Sequence, residues 1–307
     1  MPILEVEDLS ISFKQYTDGL KQKNLRVISS LYVTVEEGEI LAVVGASGSG
    51  KSLLAHAILG ILPSNANISG TIKYGGEILT PARQASLRGK EIALIPQSVN
   101  FLDPLMRVGN QVRTSVKKGD AIAAQQKVFE RLHLKPEVEN MYPFQLSGGM
   151  ARRTLLSTAI VSGAKVIIAD EPTPGLDPVV IKEALSNFRE FADDGCAVML
   201  ITHDIESALT IADKIAVFYA GTTVEIAPVE DFFGDGEALR HPYSKALWRA
   251  LPQNEFIPIP GSQPHPSALP PGCLFAPRCP MATAECREVQ PGIRNLRNGL
   301  VRCIHAT

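Results

Sequence analysis

No run of 18 or more apolar residues occurs in this sequence, so no stretch is long and apolar enough to span a bilayer as a helix. An excess of one charge is missing as well: 30 Lys and Arg stand against 32 Asp and Glu, a net charge of −2. Such a balance points away from a nucleic-acid partner, and an anionic membrane surface would not attract the chain as a whole. Charges interrupt the first residues, Met1-Pro2-Ile3-Leu4-Glu5-Val6-Glu7. They read as a strand, so no targeting segment is expected and the chain is assigned to the cytosol. Thiols stay reduced there, so the five cysteines are not expected to pair as disulfides. Internal repeats, charge blocks and sustained heptads are also missing. What remains is an ordinary globular composition, 45 % hydrophobic and 20 % charged over 307 residues. That length exceeds one average domain and can bury a large core without staples.

Residues 1 to about 230 alternate short apolar runs with helical patterns, the signature of a parallel α/β sheet. Strands are expected at 40–45, 92–95, 166–170, 198–202 and 215–219. Runs this short and apolar fit strands buried on both faces. Helices are expected at 121–134, 150–161 and 178–192. Beyond Leu251 the composition shifts. Seven prolines within 252–272 read as an irregular linker, and a cysteine-rich tail begins at Cys273. The expected division is therefore 1–251 as one domain and 252–307 as linker and extension.

Gly45-Ala46-Ser47-Gly48-Ser49-Gly50-Lys51-Ser52 matches G-x-x-x-x-G-K-[ST] between a buried strand and an apolar helical run, residues 53–62 that begin with Leu53. The glycines let backbone N–H groups turn inward around phosphate oxygens, and the helix adds the positive end of its dipole. Lys51 is the residue to reach the β- and γ-phosphates of ATP, and the Ser52 hydroxyl suits Mg²⁺. The run 166–171 is an apolar strand ending in two acids. Beside a phosphate loop, Asp170 would hold Mg²⁺ and Glu171 would orient and deprotonate the attacking water.

Leu146-Ser147-Gly148-Gly149-Met150 resembles the signature motif of ATP-binding-cassette (ABC) ATPases. Gln97 after its strand resembles the family's Q-loop. Gly175-Leu176-Asp177 resembles its D-loop, and His203 stands at the switch-histidine position. The order and spacing of all six elements fit an ABC nucleotide-binding domain over residues 3 to about 230. The resemblance implies an α/β fold: a P-loop ABC ATPase with a RecA-like core, an antiparallel β subdomain and a helical subdomain, followed by a Cys-rich extension. It implies that two cassettes close head to tail around two nucleotides. Ser147, Gly148 and Gly149 would bind the γ-phosphate held by the opposite subunit, and Asp177 would cross the dimer interface. Gln97 would sense Mg²⁺ and the attacking water, and His203 would contact the γ-phosphate. Phe13, with Tyr16 as second choice, aligns with the family's adenine-stacking aromatic. Met150 stands where many members have Gln, but the phosphate-binding groups there are backbone.

Cys273, Cys279, Cys286 and Cys303 follow the spacing C-x5-C-x6-C-x16-C. Four thiols this close in a reduced compartment point to a metal site. A tetrathiolate can hold Zn²⁺ or a [4Fe–4S] cluster. The absence of C-x2-C pairs favours iron–sulfur, and His305 is a possible substitute ligand. Cys196 reads as a small buried hydrophobe. The tail segment Gly272-Cys273-Leu274-Phe275-Ala276-Pro277-Arg278-Cys279-Pro280, with His241-Pro242-Tyr243-Ser244-Lys245-Ala246-Leu247, resembles the C-terminal region of oligopeptide, dipeptide and nickel importer ATPases. That resemblance implies an energy-coupling subunit at the cytoplasmic face of the inner membrane. It would pair with a second, different ATPase beneath two membrane permease subunits, and a binding protein would deliver the peptide or nickel complex. In some members the four cysteines hold a [4Fe–4S] cluster. The apolar run 101–106 suits docking to a membrane subunit. A cassette protein of translation or DNA repair would resemble two cassettes in one chain or carry a long coiled coil. A redox protein would leave residues 1–230 without a role.

Overall fold

The computed structural model describes residues 1–16, 22–117, 119–175 and 177–307. In chain order they form β1 (Leu4–Tyr16), β2 (Gln22–Val35), β3 (Ile40–Gly45), α1 (Lys51–Leu59), β4 (Ala66–Tyr74), β5 (Glu77–Ile78), α2 (Pro81–Leu87) and β6 (Ile92–Ile95). Next come α3 (Val108–Thr114), α4 (Ala121–Arg131), α5 (Gly148–Val161), β7 (Val166–Asp170), α6 (Pro178–Asp193), β8 (Ala197–Thr202), α7 (Ile205–Ile211), β9 (Lys214–Tyr219) and β10 (Thr222–Pro228). The last elements are α8 (Pro242–Arg249), α9 (Ala284–Glu288), β11 (Arg294–Leu296) and β12 (Gly299–Val301). The strands expected at 40–45, 92–95, 166–170, 198–202 and 215–219 and the expected helices are present with ends moved by up to three residues, and the strand read at the N-terminus starts at Leu4 and runs on to Tyr16.

The larger sheet has the order β11-β12-β10-β9-β3-β8-β7-β6. Its centre is parallel: β3 pairs with β8 and β9, and β7 pairs with β6 and β8. Both faces are covered. Ile40, Ala42 and Val44 of β3 enter one core with Phe188 and Phe191 of α6. Leu41 and Val43 enter the other, with Leu54 and Ile58 of α1 and with Leu4, Val6 and Leu31 of the smaller sheet. Strict alternation between two apolar cores explains why these strands read as unbroken hydrophobic runs. The smaller sheet, β2-β1-β4-β5, is antiparallel throughout.

A separate small core, Val108, Val112, Phe129, Leu134 and Val138, gathers α3, α4 and the approach to α5. One of its helices, α4, starts from a side-chain cap. Asp120 accepts from the N–H groups of Ile122 and Ala123 at 2.8 and 3.2 Å, satisfying amides the helix cannot pair. Gly109 is required here, since a Cβ on it would lie 2.8 Å from Cβ of Glu139.

The composition shift at Leu251 does not interrupt the packing. Leu274 and Phe275 join the core shared by α6 and β3. Burial of such side chains is worth about 1.5–3 kcal/mol each, enough to hold a proline-rich segment against the cassette. Arg297 (φ 47°) and Asn298 (φ 60°) form the two-residue turn between β11 and β12, both left-handed as a type I′ turn requires. β12 then pairs antiparallel with β10 and extends the central sheet. Arg240, almost fully buried, reinforces this junction by ion pairs to Glu225 at 3.2 Å and Asp231 at 2.7 Å. It also donates to the backbone carbonyls of Leu296, at 2.7 Å, and Arg297.

Candidate nucleotide site

Three parallel strands and the Q-segment bring the predicted residues to one end of the sheet. Val44 is in register with Thr202, Gly45 with Phe218, and Asp170 with Ile201. The carboxyl ends of β3, β7 and β8 therefore release Gly45, Glu171 and His203 on the same edge, where ligands bind in open α/β sheets. They open onto a cleft of about 490 Å³ lined by Ser47, Gly48, Ser49, Gly50, Lys51, Ser52, Leu53, Gln97, Glu171, His203 and Val27. Two glycines of the loop are left-handed, Gly48 at φ 76° and Gly50 at φ 94°. Gly45 is needed for a different reason, since a Cβ there would meet the Phe218 carbonyl oxygen at 2.4 Å.

The charges inside the cleft are poised rather than neutralised. Lys51 Nζ donates to the carbonyls of Gly45 at 2.8 Å and Ala46 at 3.3 Å, folding back over its own loop. Burial lowers its pKa, opposed by the charges of Glu171 and Asp170. The Ser52 hydroxyl donates to Asp170 Oδ1 at 3.1 Å. Burial raises the Asp170 pKa, and the bond from Ser52 works against that rise. A hydroxyl beside a buried carboxylate, open to a cleft, is a hard-oxygen pair that suits Mg²⁺ with phosphate oxygens and water completing its shell. Glu171 takes a left-handed backbone at φ 47°, a conformation that costs about 1–3 kcal/mol in a non-glycine residue and recurs at working sites. Its Oε2 lies 2.7 Å from Nδ1 of His203. The carboxylate is buried, whereas the imidazole is mostly exposed.

Phe13 is half-buried against the core, outside the cleft lining, and Tyr16 is exposed at the end of β1, its hydroxyl accepting from Gln22 at 3.1 Å. The cleft wall carries Val27 instead. Ile11 pairs with Ile28 and Ser12 with Arg26, so Val27 is the extra residue of a β-bulge, which re-aims its side chain. No pattern in the sequence marks that bulge.

The signature residues do not line the cleft. Ser147 caps α5 by accepting from the Met150 N–H at 3.3 Å, and Gly148 and Gly149 form the first turn. Ser147 and Gly148 are exposed, and a Cβ on Gly148 would touch nothing. Open amides at a helix N-terminus, unused by the chain's own cleft, can receive an anion from outside. Met150 turns into the small helical core. At the D-loop, Leu176 lies outside the described residues. Asp177 caps α6, accepting from Val179 and Val180 at 3.0 and 3.2 Å, and next to it Val179 is 76 % exposed.

The tail cysteines converge. Cys273 N–H donates to the Cys286 carbonyl at 2.8 Å, and Cys286 Sγ lies 3.3 Å from His305 Nε2. Burial raises the thiol pKa of Cys273, Cys279 and Cys303, and the neighbouring thiols add to each rise. The expected metal centre is nevertheless not assembled. Among the described residues no three His, Cys, Asp or Glu side chains stand as a metal-holding group. The physical reason is geometric: what joins Cys273 to Cys286 is a backbone bond and what meets the Cys286 thiol is the His305 imidazole, so the side chains do not surround one point. Cys196 is the inert hydrophobe expected, its thiol pushed up to about 11 by burial.

Taken together, the cleft and the parallel sheet define a candidate nucleotide-binding cassette. The ABC transporter family profile matches residues 28–174, and the profile of the oligopeptide/dipeptide transporter C-terminal region matches residues 224–286. The oligopeptide transport ATP-binding protein OppD of Salmonella typhimurium is 36 % identical over 94 % of this chain and 89 % of its own length. OppD of Haemophilus influenzae is 33 % identical over 98 % of this chain and 96 % of its own. A solved dimeric ATP-binding cassette, in a post-hydrolysis state with ADP and Pi, superposes with a TM-score of 0.64 at 22 % identity, covering 74 % of this chain and 98 % of that one. The chain belongs to the ABC transporter ATP-binding subunits, in the branch that carries the oligopeptide/dipeptide transporter C-terminal region, and is an ABC ATPase. Among the described residues no helix is long and apolar enough to cross a membrane.

Proposed function

We propose that this chain is the ATP-hydrolysing, energy-coupling subunit of an importer of di- and oligopeptides, peripheral on the cytoplasmic face of the inner membrane. The observation that carries this reading is likeness to oligopeptide transport ATP-binding proteins along almost the whole chain, tail included. Nickel complexes are not needed to explain any feature.

In this reading the loop amides and Lys51 hold the β- and γ-phosphates, with Ser52 and Asp170 holding Mg²⁺, which supplies charge neutralisation. Glu171 takes the proton of the attacking water at its carboxylate. His203 holds that carboxylate and faces the γ-phosphate, while Gln97 positions the water. Phe13 or Tyr16 supports adenine. The γ-phosphate is closed over by Ser147–Gly149 of a second, different ATPase, and this chain's Ser147, Gly148, Gly149 and Asp177 serve that partner in return. The open signature amides support the exchange.

Closure would pull on two permease subunits supplied with peptide by a binding protein. The docking surface is the loop after Gln97. Gln111 braces it, accepting from Asp103 N–H at 2.9 Å and donating to the carbonyls of Asp103 and Met106 at 2.9 and 2.8 Å. Phe101 and Leu105 are left 68 % and 87 % exposed on a rigid loop, an apolar surface that suits a permease helix. Residues 1–251 form the nucleotide-binding domain and 252–307 its extension. Within the extension, Cys273, Cys279, Cys286 and Cys303 are assigned to a [4Fe–4S] cluster. Four thiols within one short tail support that donor set.

Pull-down from membranes should recover this chain with two permeases and a second ATPase, and vesicles holding that complex should take up peptide only with ATP. Recovery as a free protein from membrane-depleted lysate, without partners, would refute the assignment. Anaerobic purification should give a brown protein; a colourless one with stoichiometric zinc would refute the cluster.

A further inference from the structure

Arg152 has no part in the mechanism above, yet it stands between the signature helix and the turn that carries Gln97. It lies on the second turn of α5, whose cap is Ser147. Its Nη1 donates to the carbonyl of Pro96 at 3.0 Å. That carbonyl belongs to the peptide group that continues into Gln97. Pro96 has no N–H to donate, and the last pair in the β6 ladder is Ile95 with Ala169. The sheet therefore lets go of the chain just before Gln97, whose side chain lines the cleft.

An apolar contact runs alongside this bond. Leu102, on the loop that follows Gln97, packs with Ala151 and Leu155 of α5, joined by Val99 and Leu146. Arg152 holds the start of the 96–102 segment and Leu102 its end, so both ends rest on the signature helix. The guanidinium stands there without an acidic partner. Arg152 is half-buried, and burial lowers its pKa with no neighbouring acid raising it. The adjacent Arg153 is the one that pairs with Glu183, at 3.7 Å. Among the described residues the one hydrogen bond of the Arg152 side chain is the bond to Pro96. A half-buried cation without an acid is unfavourable for folding, so stability does not account for an arginine at this position.

We propose that Arg152 is a positioning residue for Gln97: it fixes the Pro96–Gln97 peptide group on the signature helix and so sets where the Gln97 side chain stands in the cleft. Arg152 does not line the cleft itself, so it acts through Gln97 and not on the phosphates. This role rests on Gln97 positioning the attacking water, which Gln97→Ala tests separately.

The test is Arg152→Met, which keeps much of the side chain's length and removes its donors, in the complex with the second ATPase and both permeases. Its kcat should fall roughly 10-fold, the worth of one hydrogen bond from a charged donor, and by no more than in Gln97→Ala. The phosphate contacts are untouched, so the KM for ATP and the Kd of the full chain for Mg–ATP should keep their wild-type values. The melting temperature should be equal or higher, since an unpaired cation is removed. Arg152→Lys, which still offers an N–H donor, should recover most of the lost turnover. In a Gln97→Ala background Arg152→Met should lower kcat no further, as expected of residues acting in series. Normal kcat in Arg152→Met beside a deficient Gln97→Ala would overturn the proposal alone, as would additive losses or no rescue by Lys. A lower melting temperature with wild-type turnover per folded molecule would make Arg152 a structural residue and overturn it as well. Wild-type turnover in Gln97→Ala would refute the Gln97 assignment, and the proposal with it.

Discussion

Replacing Glu171 by Gln tests the base role with little other disturbance. Gln has the same length and the same left-handed backbone requirement, so it adds no strain at φ 47°. Its amide can still meet His203, which stands 2.7 Å from the carboxylate. The phosphate contacts through Lys51 and the loop amides are untouched. What is lost is basicity toward the attacking water. A positioned general base contributes roughly 10²–10⁴-fold, about 3–5.5 kcal/mol at 1.36 kcal/mol per decade. Turnover in the assembled complex should fall by that factor, while equilibrium titration with Mg–ATP gives wild-type affinity. Undiminished turnover would remove Glu171 from the base role. Lost binding with unchanged turnover of the bound fraction would recast it as a structural residue.

Arg240→Met leaves the buried Glu225 carboxylate unpaired and should cost about 3–5 kcal/mol in chemical denaturation. The double variant with Glu225→Gln should lose less than the sum, and strict additivity would deny the ion pair. His241 is neutral and fully buried, its pKa lowered from 6.5 to about 3 by desolvation. The folded chain therefore binds fewer protons than the unfolded one between those pH values, so stability falls as pH drops below 6.5. The loss from this residue is up to ~5 kcal/mol by pH 3. Denaturation midpoints of His241→Gln should depend less on pH than wild type in that window, and an equal slope would contradict this.

The sheet edge that carries the site was legible because its signals are local. A strand, a glycine turn and a helix start are contiguous from Ile40 to Leu59, and two acids end an apolar run at Asp170 and Glu171. The subdomains and the in-trans role of Ser147–Gly149 were read only through family resemblance, because no periodicity encodes a partner subunit. Non-local features were hidden. Val27 reaches the cleft through a bulge defined by its pairing with β1, and β12 completes the central sheet by joining β10 from about 75 residues away. Proline counting marked 252–272 as a linker but was blind to Phe275 packing edge-on against Tyr219. Four cysteines in sequence predicted ligands, but spacing along the chain does not fix where side chains point, and among the described residues no metal-holding group forms.

In the proposed function this chain holds half of each ATP site. The most direct test compares ATP hydrolysis by the isolated chain with hydrolysis by the complex containing the second ATPase and both permeases. The chain alone should bind Mg–ATP with slow turnover, and assembly should bring a large rise that is lost when the partner's signature motif is disabled. Fast turnover by the isolated monomer, unaffected by assembly, would contradict it.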